Sequence, residues 1–199
     1  MTAVDELLAA FGGYLSSRHD ELLSAFTADF VEDMRPRFLS PRGLPVTGYL
    51  AAADGSPDFP EAALVDTLAG AADELHFGQT YGSGDFGDDF LARYGWVELF
   101  GTRGHFVSDV LAGGFLLLGP GILYPDHHHI AEEIYVPLTP GSLWSRDGGG
   151  FEARQAGEII HHPSGIRHAM QTTDRPLVAL YLWRGGPLAQ KPDISGRQI

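Results

Sequence analysis

Four side chains able to hold a cation or move a proton sit at even spacing in one short stretch. They are His127, His129, Glu133 and Tyr135, within Tyr124-Pro-Asp-His-His-His-Ile-Ala-Glu-Glu-Ile-Tyr135. Side chains of a strand alternate between its two faces, so residues at even offsets share a side. Two imidazoles, a carboxylate and a phenol are thus expected to converge on one face of a single ribbon. A second stretch, Gly157-Glu-Ile-Ile-His-His-Pro-Ser-Gly-Ile-Arg-His168, adds more imidazole, and six of the nine histidines fall at 127–129, 161–162 and 168. The chain has no cysteine, so any metal must be held by histidine, carboxylate or phenol. A free phenol has a pKa of roughly 10. Beside a divalent cation its anion is favoured, which leaves Tyr135 three roles: ligand, general base or plain cavity filler.

Together the stretches read as G-x5-H-x-H-x3-E-x7-G from Gly121 to Gly141 and G-x5-P-x-G-x2-H from Gly157 to His168. These resemble the paired motifs of the cupin superfamily. The resemblance implies a mainly β protein, a double-stranded β-helix or jelly-roll barrel, with a metal in its mouth. Carried over residue by residue, the ligands are His127, His129, Glu133 and His168. Three imidazoles and a carboxylate suit one divalent transition metal, with zinc, Fe(II) or manganese foremost. His128 alternates to the other face, and His161 and His162 are expected to support the ligands rather than join them. Thr172 stands where many cupins carry asparagine.

A narrower resemblance follows from Tyr-Pro-x-His-x-His-x3-Glu-x-Tyr (124–135), Gly-Glu-x4-Pro-Ser-Gly-x2-His-Ala-Met (157–170) and Leu-x-Leu-Trp-Arg-Gly (180–185), behind a helical N-terminal segment. This combination resembles the cupin-type dimethylsulfoniopropionate (DMSP) lyases. It implies a carbon–sulfur lyase that converts DMSP to dimethyl sulfide and acrylate by β-elimination. The substrate carboxylate would bind the metal and Tyr135 would take the α-proton as a phenolate. It also makes His127 a less secure ligand than the other three. The implied partner is a small zwitterionic sulfonium compound. A sulfonium centre offers no hydrogen-bond donor, so aromatic faces suit it best. Tyr124, Trp183 and Tyr81 are the candidates, with Phe106 and Phe115 behind them. Two rival readings are another metal-cupin enzyme (an Fe(II) dioxygenase or an isomerase) and a non-enzymatic small-molecule-binding cupin.

Composition narrows the partners. A net charge of −13 argues against nucleic acid, which needs clustered Lys and Arg. The apolar run 110–118 is about half the length of a membrane span and reads as a buried strand pair. No signal peptide is seen in Met1-Thr-Ala-Val-Asp-Glu-Leu-Leu. A cytoplasmic protein is expected, and a homodimer is an allowed assembly.

These residues need a scaffold. Residues 1–103 read as a helical N-terminal segment and 104–199 as the metal-binding barrel, packed as one unit. Leu7, Leu8, Phe11, Tyr14 and Leu15 have helical spacing, as do Leu22, Leu23, Phe26 and Phe30 in a second helix and Ala63, Leu64, Leu68, Ala71, Ala72 and Leu75 in a third. Residues 35–60, rich in Pro and Gly, read as loop. Residues 78–89 read as an acidic loop, a candidate lid with Tyr81 at its tip. A short helix is expected over 90–94 and 97–100. Beyond Gly104 about eight short strands are expected: 106–111, 114–118, 129–137, 141–145, 151–155, 158–161, 168–172 and 177–183.

Overall fold

The computed structural model describes residues 2–30, 34–53 and 60–194. Helix α1 (Ala3–Ser17) starts at a capping box, in which Thr2 accepts from the Asp5 amide and Asp5 accepts from the Thr2 amide. Helices α2 (Glu21–Phe26) and α3 (Pro60–Ala71) follow, and a 3₁₀ segment at Pro45–Ala52 lies between them. The loop expected over 35–60 is therefore partly helical, since Pro45 opens a tight turn that buries Val46 and Leu50; its 54–59 portion lies outside the described residues.

A second departure concerns 78–100. The acidic segment is mostly helix α4 (Ser83–Ala92), bent at Gly87, where φ is +80°. Strand β1 (Tyr94–Gly101) then replaces the expected helix. Both of its faces are covered, so Val97, Leu99 and Phe100 lie among nearly continuous buried residues, and the period-two signature is lost.

Among the described residues ten further strands follow: β2 (Phe106–Val107), β3 (Leu111–Leu118), β4 (Leu123–His128), β5 (Glu132–Pro137), β6 (Ser142–Arg146), β7 (Glu152–Arg154), β8 (Ile160–His162), β9 (His168–Thr172), β10 (Leu177–Arg184) and β11 (Asp193–Ile194). They form two sheets, ordered β2-β1-β3-β10-β5-β8 and β11-β4-β9-β6-β7. This is the mainly β, cupin-type two-sheet barrel with a helical N-terminus. The run 110–118 proves to be one long strand rather than a pair. Among the described residues no helix is long and apolar enough to cross a membrane.

Alternate residues of the six-stranded sheet serve two cores. Val97, Leu99, Phe115, Leu117, Ile134, Val136, Val178, Leu180 and Leu182 face outward and pack with Leu7, Phe11 and Leu68 of the helices. Phe11 makes edge contacts with Phe100 and Phe115, both at 5.4 Å. Leu116, Tyr135, Tyr181 and Trp183 face inward with Trp144 and Met170 of the other sheet. The helices are also tied to the second motif. Buried Glu61 accepts from Tyr14 Oη (2.8 Å) and Arg18 (3.2 Å), and Arg18 donates onward to the Gly157 carbonyl (2.6 Å). Gly157 has φ +81°, and a Cβ there would lie 2.6 Å from Glu61 Oε1, so both backbone and space call for glycine.

Candidate metal centre

Strand register decides which side chains meet. Glu133 of β5 lies opposite Trp183 of β10 on one side and His162 of β8 on the other. One row along, Tyr135 lies between Tyr181 and Ile160. On the second sheet His127 of β4 pairs with His168 of β9. His129 follows β4, in the turn leading to β5.

The single ribbon expected for His127, His129, Glu133 and Tyr135 is therefore broken. β4 ends at His128, the chain turns at 129–131, and β5 starts at Glu132 in the opposite sheet. The groups still meet, because the two sheets face one another. His129, Glu133 and His168 each offer one ligand atom, and these atoms all lie within 4.8 Å of one another in a buried cluster. Nε2 of His129 is 3.0 Å and Nε2 of His168 is 3.1 Å from Glu133 Oε2.

The ring tautomers suit coordination. His129 Nδ1 donates to the Ala131 carbonyl (2.8 Å) and His168 Nδ1 to the Ile166 carbonyl (3.1 Å). Each donation turns Nε2 towards the cluster, where it can coordinate once it carries no proton. His168 Nε2 is buried with no aligned hydrogen-bond partner. An orphaned buried nitrogen is costly in a protein, and a metal ion satisfies it. Two nitrogens and one carboxylate oxygen can hold a metal, and the residues present fit one.

His127 lies outside this cluster of three. Its Nδ1 donates to the Pro125 carbonyl (2.8 Å), and its ring stacks on Tyr124 at 4.1 Å and meets His168 edge-on at 4.1 Å. His162, expected to be a support, stacks on His168 at 4.0 Å, with Nδ1 3.8 Å from Glu133 Oε2. His161 instead bonds Glu132 (2.6 Å).

The electrostatics follow from burial and these contacts. Burial alone would raise Glu133, but the His129 charge and hydrogen bond, with the His162 and His168 rings close by, hold it well below the usual carboxylate range. Burial would likewise lower His129, but the Glu133 charge and hydrogen bond outweigh it and raise the ring. Burial and the neighbouring His168 push His127 well down. Burial lowers His162 to about 4. Tyr135 is pushed well above 10, by burial first and then by the Glu133 charge. With these protein groups alone the phenol is neutral at pH 7, so an ionised Tyr135 requires a positive charge in the centre.

A cavity opens in front of the cluster. Tyr135, Trp183 and Tyr124 line it together with Tyr94, Trp96 and Tyr181. Trp183 also donates its indole N–H to Glu133 Oε1 and stacks near His129 at 4.0 Å. Tyr81 is not among the lining residues. It is buried behind Tyr124, shares a 3.0 Å hydrogen bond with that hydroxyl, and packs on Phe86 and Phe90. Tyr94 and Trp96 belong to β1, where helix is expected over 90–94 and 97–100, and the nearly continuous burial of that strand leaves no periodic signal that could have found them. Arg103 also reaches the cavity wall, over the Trp96 ring at 4.8 Å, with its charge answered by buried Glu98 at 3.1 Å.

Comparison with known proteins agrees with this geometry. A family model for dimethylsulfoniopropionate lyases matches residues 18–179. Dimethylsulfoniopropionate lyase DddQ of Ruegeria pomeroyi is 33% identical over 183 residues, covering 92% of this chain and 90% of that protein. The crystal structure of that DMSP lyase, from strain DSS-3, superposes with a TM-score of 0.87 at 31% identity, covering 97% of this chain and 96% of the other. A structure from the work on DMSP lyases RdDddP and RnDddQII superposes with a TM-score of 0.89 at 31% identity over 97% of both chains.

Proposed function

This chain belongs to the dimethylsulfoniopropionate lyase family, and from that premise we propose that it cleaves DMSP to dimethyl sulfide and acrylate with Tyr135 as the general base. One observation carries the residue assignment. Tyr135 stands two residues from Glu133 on the same inward face of β5, and both line the cavity in front of the His129–Glu133–His168 cluster.

His129, Glu133 and His168 would hold a single divalent transition metal, with zinc, Fe(II) or manganese suited to the donors, and His127, outside that cluster of three, would be a further nitrogen ligand. Such a metal supplies positive charge that acidifies a neighbouring phenol and polarises a carboxylate. Tyr135 Oη takes the α-proton. The electrons of that C–H bond form the new double bond, and the Cβ–S bond breaks with its pair leaving on sulfur. The products are neutral dimethyl sulfide and acrylate. Trp183 keeps Glu133 oriented through its N–H, and its ring, with Tyr124, Tyr94 and Trp96, faces the sulfonium with π-surface. The substrate is thus a small zwitterion. A cytoplasmic setting, suggested by the lack of cysteine, belongs to the same reading.

The test is headspace detection of dimethyl sulfide from metal-loaded protein and DMSP, with and without chelator. Chelator-sensitive release at roughly 1 per second or more is expected. No sulfide after metal reconstitution would leave a metal cupin of another activity, with oxygen consumption as the next assay.

A further inference from the structure

Strand β8 is one edge of the six-stranded sheet and β7 one edge of the five-stranded sheet, and residues of both line one seam. A second cavity of about 350 Å³ occupies it, lined by Trp144, Arg146, Arg154, Ile160, His161 and His162. The inner wall is His162, whose ring is only 1% exposed and rests against His168, with Nδ1 lacking a hydrogen-bond partner. The seam therefore reaches the metal-ligand cluster from behind, through one imidazole, while the aromatic cavity reaches it from the front.

The seam also carries positive charge. Arg146 pairs in register with His168, so it leaves the end of β6 on the barrel's inward face, and it forms no ion pair among the described residues. Its charge is felt at His162, where it adds to the lowering that burial causes. Arg154 turns an unpartnered Nε inward, while its terminal nitrogens are held by Glu152 (2.9 Å) and Glu158 (2.7 Å). Glu152 on the rim is thus committed to Arg154, and Arg146 remains open to an outside anion.

We propose that this seam is a second binding site, specific for small carboxylates, which receives the acrylate released by the reaction. The inference rests on the lyase reading. Elimination from a zwitterion yields one neutral product and one anion, and the two have opposite preferences. The front cavity, walled by tyrosine and tryptophan, suits a sulfonium and its neutral sulfide. A carboxylate is best met by a guanidinium. Arg146 supplies that group on the far side of the ligand cluster, so acrylate bound there leaves the front cavity to incoming substrate.

The test is inhibition of the metal-loaded enzyme by added acrylate, comparing the wild type with Arg146→Gln and Arg146→Lys. Mixed inhibition is expected in the wild type, because acrylate binds at the seam while substrate occupies the front. Arg146→Gln should raise the uncompetitive constant about tenfold, as expected for loss of one ionic contact, and leave the competitive constant nearly unchanged. Arg146→Lys should stay close to the wild type. Purely competitive inhibition in the wild type, or an uncompetitive constant unmoved in Arg146→Gln, overturns the proposal. Failure of the lyase reading is a different result, namely no sulfide from DMSP. In that event saturation-transfer NMR with acrylate and the metal-loaded protein decides on the seam. A transfer signal that vanishes in Arg146→Gln supports it, and equal signals from both proteins refute it.

Discussion

Trp183 and Glu133 face each other directly across β10 and β5, and the indole Nε1 donates to the carboxylate Oε1 at 2.5 Å. The other carboxylate oxygen faces His129 and His168 at 3.0 and 3.1 Å. A tryptophan expected to contact substrate thus also fixes the orientation of the proposed metal ligand. Trp183→Phe keeps the ring and removes the N–H. It should weaken metal affinity by about 10–100-fold, the usual cost of losing such a supporting contact. Competition with a calibrated chelator measures this, and unchanged affinity would show that the bond is incidental.

Removing the base should separate chemistry from metal binding. Tyr135→Phe is expected to cut sulfide release by about 10³-fold or more, with metal content by elemental analysis unchanged. His168→Ala should lose metal and activity together. Stoichiometric metal in that variant would remove His168 from the ligand set.

His162 gives a pH signature in chelated protein. Its ring titrates near 6.5 when unfolded but only at about 4 in the fold, through burial first. Between those values the unfolded chain binds more protons, so this residue's contribution to stability falls as pH falls from about 6.5 towards 4. His127, lowered by burial, acts in the same direction; His129, which is raised, contributes stability below about 6.5 and loses it as pH rises through its folded value. His162→Gln should accordingly lose less stability than the wild type between pH 7 and 5, read from urea midpoints. Parallel losses would refute the assignment.

The barrel wall makes a packing prediction. A Cβ at Gly114 would lie 1.9 Å from the Val97 carbonyl oxygen, within the β1–β3 ladder. Gly114→Ala must push those strands apart. We expect a loss of about 3 kcal/mol, or roughly 6–12 °C in Tm, by thermal unfolding. A melting temperature within about 2 °C of the wild type would contradict the strand spacing.

Several features of this protein are legible before folding is considered. His129, Glu133, Tyr135 and His168 stand at motif spacing, and the helical periodicity of Leu7, Leu8, Phe11 and Leu15 and the strands from β5 to β10 follow from local pattern. β1 is not legible, because a strand covered on both faces shows no alternation, and Tyr94 and Trp96 are concealed with it. The helix within 78–89, which reads as loop, is missed for a related reason. Its glycines mark a helix start and a bend in α4, and Tyr81 is drawn inward by Phe86, Phe90 and Tyr124.

The division has a physical basis. Residue type and spacing along the chain determine which groups are available and which face of their own strand they take, so the nature of the centre as a histidine–carboxylate cluster with a nearby phenol is a property of the sequence itself. Which strands face one another depends on contacts between residues far apart in the chain. Only that tertiary arrangement moved His127 and His168 onto the sheet opposite Glu133, set Trp183 against the Glu133 carboxylate, and brought His162 between the cluster and the seam that Arg146 lines.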